Sequence, residues 1–283
     1  MDYDVLLRGT APPIVAALLL VSLAGSRMLP LAMAIGLFVA HGLLKEWPAL
    51  PQDLWSDPNG VAWLMWGMVA AAMLTLAQHL RLLPARVAPG AAAAVAAVSL
   101  WLMLSKVATR WSGVDVSLHV GGGSVLVAAT MLTVRIVIAR RPVASAQAVA
   151  VGALLAVVLS IDAALLVLGK SAFLGQLCGA VAATLGAAVF TVVWRRKFTL
   201  YAADGIWIGG AHALFVLAGV HLSYLPWWPA GFALAAPFLL LFVPRGFDQA
   251  RPLRWLAVAV PLVLVPLLVA LWLARPEPNL YDY

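Results

Sequence analysis

Apolar residues run through this chain in long, nearly unbroken stretches with thin polar punctuation between them. A bilayer-spanning helix needs roughly 20 mostly apolar residues. Windows of that size fall at about 10–26, 28–44, 60–79, 89–109, 122–139, 145–169, 171–194, 203–222, 229–245 and 252–274. The runs Ala91–Ala97 and Leu264–Leu271 show no period of two, which argues against the alternating strands of a membrane β-barrel. Each span should be helical, because a backbone group left unpaired in hydrocarbon costs several kcal/mol. The expected fold is an all-α polytopic integral membrane protein of about ten transmembrane helices. The longest connection, about 45–59, is too small for a domain, so a single membrane domain with no soluble domain is expected.

The ends of the spans are marked. Pro30, Pro84, Pro89, Pro142, Pro226, Pro244 and Pro252 lie at or near predicted ends, where a missing N–H costs little. Trp47, Trp55, Trp111, Trp194, Trp227 and Trp272 sit near ends too, as amphipathic rings do at the headgroup layer.

Composition agrees. The 283 residues are 64% hydrophobic and 10% charged, against about 25% charged in a soluble domain. Soluble and disordered classes are thereby excluded. Cys178 is the only cysteine, so no internal disulfide or thiolate metal cluster can form. The N-terminus carries Asp2, Asp4 and only Arg8, which suits a first membrane span better than a cleavable signal peptide.

Charge gives an orientation. Arg27, Arg81, Arg86, Arg135, Arg140, Arg141, Arg195, Arg196, Lys197, Arg245, Arg251 and Arg254 fall on one face, and Arg8, Lys45, Lys106, Arg110, Lys170 and Arg275 on the other. Asp2, Asp4, Glu46, Asp53, Asp57, Asp115, Glu277 and Asp282 join the smaller basic set. Basic loops stay in the cytoplasm. Both termini are therefore expected outside the cytoplasm, in a multi-pass protein of the inner (plasma) membrane.

A shift of about 142 residues, half of the chain, lays each of the first five spans near one of the last five. At that offset Gly67 meets Gly209, His79 meets His221 and Leu80 meets Leu222. Residues 1–142 and 143–283 are read as two five-helix halves. An odd number of helices per half would invert one half across the membrane, a recurrent plan in secondary transporters with the site near the midplane. Ten helices as five plus five is similar in outline to the drug/metabolite transporter superfamily. The likeness lies in span count and length across the whole chain. No local motif of that family is present, and that family usually keeps its termini inside.

An ionisable residue inside the membrane is a functional hypothesis by default. His212 lies at the centre of the eighth span on a face with Gly205, Gly209, Phe215, Val216 and Gly219. It should face a helix or cavity, as interhelical packing glue or as a substrate or proton site. Asp162, in the sixth span among Leu155, Val158, Leu159, Leu165 and Leu166, cannot face lipid cheaply. Lys106 in the fourth span is its expected partner, unless it snorkels to the headgroups beside Arg110. His212, Asp162 and Lys106 are the substrate- or proton-binding candidates. His41, His79 and His221 sit near span ends and carry less weight. Gln176 lies beside Gly175, Gly179, Ala183 and Ala187, read as a helix-packing seam. Arg135 is expected to snorkel.

No Gly-Lys-Ser/Thr phosphate loop and no His pair at i,i+4 spacing exist, which speaks against an ATPase or zinc peptidase. Haem would need two facing histidines at matched depth, and His41 and His212 differ in depth. No catalytic residue, metal or cofactor is expected. Partners would be membrane lipid and other membrane subunits or a homo-oligomer, with no nucleic acid. Three functions compete. The leading one is a small-solute carrier or permease with a midplane site. The next is a non-catalytic subunit or scaffold of a larger membrane complex. The third is an intramembrane enzyme acting on lipid through Asp53, Asp57 or Asp162.

Overall fold

The computed structural model describes residues 3–56, 59–140, 146–244 and 252–275. Asp2, Asp57, Arg141, Arg245, Arg251, Glu277 and Asp282 lie outside the described residues. The described chain is helical and contains no β-strand. The main helices are α1 (Tyr3–Ala24), α2 (Leu29–Leu44), α3 (Gly60–His79), α4 (Ala88–Ala108), α5 (Gly123–Ala139), α6 (Ala146–Leu168), α7 (Ala172–Phe190), α8 (Asp204–Leu222), α9 (Trp227–Leu239) and α10 (Pro252–Leu273). Among the described residues nine helical segments are long and apolar enough to cross a membrane.

The exception is the ninth predicted span, where a 13-residue helix continues as a short 3₁₀ turn, Leu240–Phe242. Trp227 at its start stacks on His119, just before α5, and Leu241 at its end accepts a bond from Arg140, just after α5. The short segment therefore runs between the two ends of α5.

Local chemistry sets the helix ends. Asn59 caps α3, its Oδ1 accepting from Val61 N and Ala62 N. Ser171 caps α7, its Oγ accepting from Leu174 N at 3.3 Å. Such caps satisfy N–H groups that have no partner within the helix. At the end of α1 the Arg195 guanidinium donates to the Val21 and Ser22 carbonyls, supplying charge-assisted partners to carbonyls that lack intrahelical donors.

Small residues allow close packing. A Cβ added to Gly36 would lie 2.7 Å from Pro13 Cα, so α2 rests on the proline-bearing part of α1. On α8, a Cβ at Gly205 would lie 2.3 Å from Arg135 N, and one at Gly209 2.7 Å from Thr130 O. The backbones of α8 and α5 thus touch directly, as small-residue seams in membrane bundles permit. Gly175 of α7 packs the same way against Ala163 and Val167 of α6, so the Gln176 seam joins neighbouring helices.

α8 is the axis of the bundle. It packs against α3, α5, α6 and α9, and 83% of its apolar window is buried, against 22% for α1 and for α10. The outer surfaces carry exposed Leu19, Val98, Trp101, Val125, Val157, Val265 and Leu268. Apolar exposure spread over so many helices suits lipid and would be an aggregation liability in water.

Successive helix ends alternate between two faces. Among the described residues, Arg27, Arg81, Arg86, Arg140, Arg195, Arg196 and Lys197, which follow α1, α3, α5 and α7, and Arg254 at the start of α10 form the basic face. The start of α1 and the connections that follow the even-numbered helices form the opposite face.

Candidate functional site

α8 carries three ionisable side chains, Asp204, His212 and His221. Each meets a partner from another part of the chain, at a different level of the bundle.

The middle level holds His212 and Asp162. His212 Nδ1 lies 2.6 Å from Asp162 Oδ2, and the side chains are 2% and 0% exposed. The packing of α8 explains half of this. α8 is enclosed on every side, Asp204 to Gly219 all being buried, so a residue at its centre such as His212 is interior at any helix rotation. On α6, burial of Leu155, Leu159, Leu165 and Leu166 carries Asp162 into the interior. One proton shared between the two groups gives either an imidazolium–carboxylate pair or a neutral imidazole with a carboxylic acid. Among the described residues neither Asp162 Oδ1 nor His212 Nε2 has a hydrogen-bond partner. Buried polar atoms are nearly always satisfied, so this pair retains one acceptor and one ring nitrogen for something else. Cys178, sealed in α7, donates its thiol to Leu159 O at 3.4 Å, one turn from Asp162.

Lys106 is not the partner of Asp162. It is exposed near the end of α4, while Asp162 is fully buried. A long cationic side chain gains more from reaching the headgroup layer than from desolvation beside a carboxylate. The Lys106–Asp162 pairing is therefore replaced by His212–Asp162.

The level at the basic face holds His79, the last residue of α3, and Asp204, the first of α8. His79 Nε2 lies 3.2 Å from Asp204 Oδ1, both side chains sealed. His79 Nδ1 is 3.0 Å from Arg27 O. A carbonyl only accepts, so Nδ1 carries a proton. A hydrogen bond from Nε2 to Asp204 then requires one more proton on the pair. Asp204 Oδ2 also accepts from Tyr201 N at 2.8 Å. Beside the pair opens a cavity of about 400 Å³ lined by Arg27, Gln78, His79, Arg81, Tyr201 and Ala85.

At the opposite face His221 meets His119, Trp111 and Trp227. The His119 and His221 ring centroids are 5.2 Å apart, and Trp111 lies 4.8 Å from His119. His119 sits in a π-helical turn, Ser117–Gly122. Gly121 and Gly122 of the run 121–123 are wound into that turn. An apolar cavity of about 420 Å³ lies beside it, lined by Leu118, Gly122, Gly123, Leu126, Leu217 and Trp227 with His119. The remaining histidine, His41, donates from Nδ1 to Glu46 O at 2.6 Å and closes the end of α2.

Arg135 is half-buried and reaches the basic face, its Nη2 3.4 Å from Ala85 O, as snorkelling predicts. Asp53 lies in a one-turn helix, Pro51–Leu54, on the opposite face from Asp204. Among the described residues no group of three or more His, Cys, Asp or Glu is placed to hold a metal ion.

Compared with known protein families, with curated proteins and with solved structures, the chain matches none. The likeness in outline to the drug/metabolite transporter superfamily therefore has no matching family behind it. The chain is a multi-pass helical membrane protein whose chemistry has to be read from its own side chains.

Proposed function

We propose that the chain is a small-solute carrier or permease of the inner membrane, with the His212–Asp162 pair as its midplane site for a proton or a polar solute group. One observation carries the reading. A carboxylate and an imidazole are hydrogen-bonded to each other in the sealed middle of the bundle, on its most enclosed helix, with an atom of each still unpartnered. Ionisable groups are expensive in a membrane and mark ion or substrate pathways. An imidazole can both take up and release a proton, which suits it to a proton pathway. In this reading the two halves, 1–142 and 143–283, form the two sides of the pathway, and the basic face lies in the cytoplasm.

The test uses protein reconstituted in sealed liposomes that hold a pH-sensitive dye. Gradients of phosphate, small carboxylates, amino acids and nucleosides are imposed in turn. At least one gradient should move protons with wild type and not with Asp162→Asn. Proton movement that is the same with both proteins, or absent for every solute, removes the reading.

One feature favours the second reading, a subunit of a larger complex. An apolar groove of about 190 Å³ runs between α1, α6 and α7, lined by Gly9, Thr10, Ala163, Ala164, Gly175 and Gly179. Small residues of this kind accept a neighbouring helix. A monomeric mass on a native gel of gently solubilised membranes would count against it.

A further inference from the structure

We infer that the cavity on the basic face is a binding site for a phosphate group, carried either by a soluble anion or by a lipid headgroup. Its volume of about 400 Å³ falls within the range of about 300–1,000 Å³ typical of small-molecule sites.

The lining is rich in donors. Arg27 and Arg81 bring two guanidinium groups, and Gln78 brings an amide. Among the described residues Gln78 Nε2 is buried without a hydrogen-bond partner, and so is Arg135 Nη1. Arg135 reaches the same rim through Ala85 O. Donors left unmade in this way call for an acceptor. The neighbouring carboxylate does not supply it, because Asp204 is fully buried, with Oδ2 accepting from Tyr201 N and Oδ1 turned to His79 Nε2 at 3.2 Å. A phosphate accepts several hydrogen bonds at once and matches the guanidinium fork.

Two further features place the arginines. The Arg27 guanidinium lies over the Tyr201 ring, 5.8 Å from its centroid, and the Arg27 carbonyl is tied to His79. Arg81 has φ +60°, in the left-handed region. It ends α3 in a turn where Leu82 N donates to Ala77 O at 2.8 Å, a position that glycine ordinarily takes. Keeping an arginine there holds its side chain at the mouth of the cavity at a backbone cost. Basic pockets between membrane helices are also a known way to hold phosphorylated headgroups.

The inference does not depend on the carrier reading, since a phosphate can occupy the cavity whether or not it is moved. The test measures binding by the full chain in phosphatidylcholine nanodiscs, with inorganic phosphate as titrant and chloride at equal ionic strength as control. Phosphate should raise the unfolding midpoint of wild type in a saturable way. Arg81→Gly and Arg27→Gln should each weaken binding at least about tenfold, the loss of one charge-assisted contact. Arg81→Gly should unfold no earlier than wild type without ligand, because it relieves the left-handed backbone. Arg196→Gly relieves a similar backbone, with φ +54°, outside the cavity, and should leave phosphate binding unchanged. In a second arm, phosphatidic acid is built into the discs and free phosphate is omitted. A midpoint rise in this arm alone, lost in Arg81→Gly, assigns the site to a lipid headgroup. The inference is overturned if neither source raises the midpoint, or if the rise survives both arginine substitutions.

Discussion

Truncating His212 to alanine tests what the middle pair contributes. The substitution removes the one hydrogen-bond donor that the described residues offer Asp162 Oδ2, and among them Oδ1 already has no partner. The carboxyl is then stranded among Leu159, Leu165 and Leu166 with no route to water. Breaking a buried ion pair from one side costs about 3–5 kcal/mol, because an uncompensated charge remains. Losing a neutral interhelical hydrogen bond in a membrane costs only about 0.6–2 kcal/mol. Asp162→Asn keeps the shape and an acceptor for Nδ1–H, and should cost about 1 kcal/mol. In the double variant the amide carries no charge to strand, so it should recover about 2–3 kcal/mol of the His212→Ala loss. The assay is reversible unfolding in mixed micelles of lipid and denaturing detergent, with the four proteins read as a double-mutant cycle. Additivity to within about 0.5 kcal/mol would mean that the two side chains do not act as a pair. A loss for His212→Ala within the hydrogen-bond range, with no recovery in the double variant, would leave them as packing glue.

Gly205→Ala should destabilise by about 1–3 kcal/mol or more, since its Cβ would sit 2.3 Å from backbone that cannot swing aside. Gly186→Ala, with nothing within 4 Å of its Cβ, should be neutral or stabilising in the same unfolding assay. Arg195→Ala should cost about 1–2 kcal/mol by freeing the last carbonyls of α1, and hydrogen exchange should rise at the end of α1 more than elsewhere. In a Cys178→Ala background, Lys197→Cys should react with a membrane-impermeant thiol reagent only when the cytoplasmic side is exposed. Labelling from the outside would reverse the proposed orientation.

The membrane fold is legible in the hydropathy of the chain because lipid admits only helices and closed barrels, and the long apolar runs lack a barrel's period of two. The one short helix shows the limit of that reading. Residues 229–245 are as apolar as other spans, but Pro237 and the turn at Leu240–Phe242 shorten the regular helix, and hydropathy does not register a change of winding. His212 is interior because α8 is enclosed on every side, Asp204 to Gly219 all being buried, so its glycine face was not what decided its burial. Asp162 could be recognised as costly, but its partner could not. The sequence gives the depth of Asp162 and Lys106 along their helices, and depth says nothing of rotation about the helix axis. Asp204 was missed although a signal existed. It is an acid just inside a span, at a face where the chain otherwise concentrates cations. His79 and His221 were read as interfacial from their end positions. Burial by neighbouring helices, which no single span encodes, takes His79 into the interior and brings His221 against His119.

The spacing of the three levels along α8 limits how a proton could travel. Eight residues separate Asp204 from His212, and nine separate His212 from His221. At 1.5 Å per residue these are about 12 and 13.5 Å, several times a hydrogen-bond length. No direct hop joins the levels, so exchange needs water between them or a movement that opens one side. Movement is the harder of the two along the α5 contact, where backbone meets backbone at Gly205 and Gly209. The connections at both ends of α8 offer less resistance, because each lies beside a cavity. A protein of this kind would keep His212 sealed at rest and admit water to it from one face at a time. Histidine acylation reads that state directly. In the resting protein His119, which is partly exposed, should react with diethylpyrocarbonate, while His212, at 2% exposure, should not. Adding a solute that drives proton movement should make His212 reactive without unfolding the chain. Resting reactivity at His212 equal to that at His119 would show an open pathway, which a gated carrier cannot have.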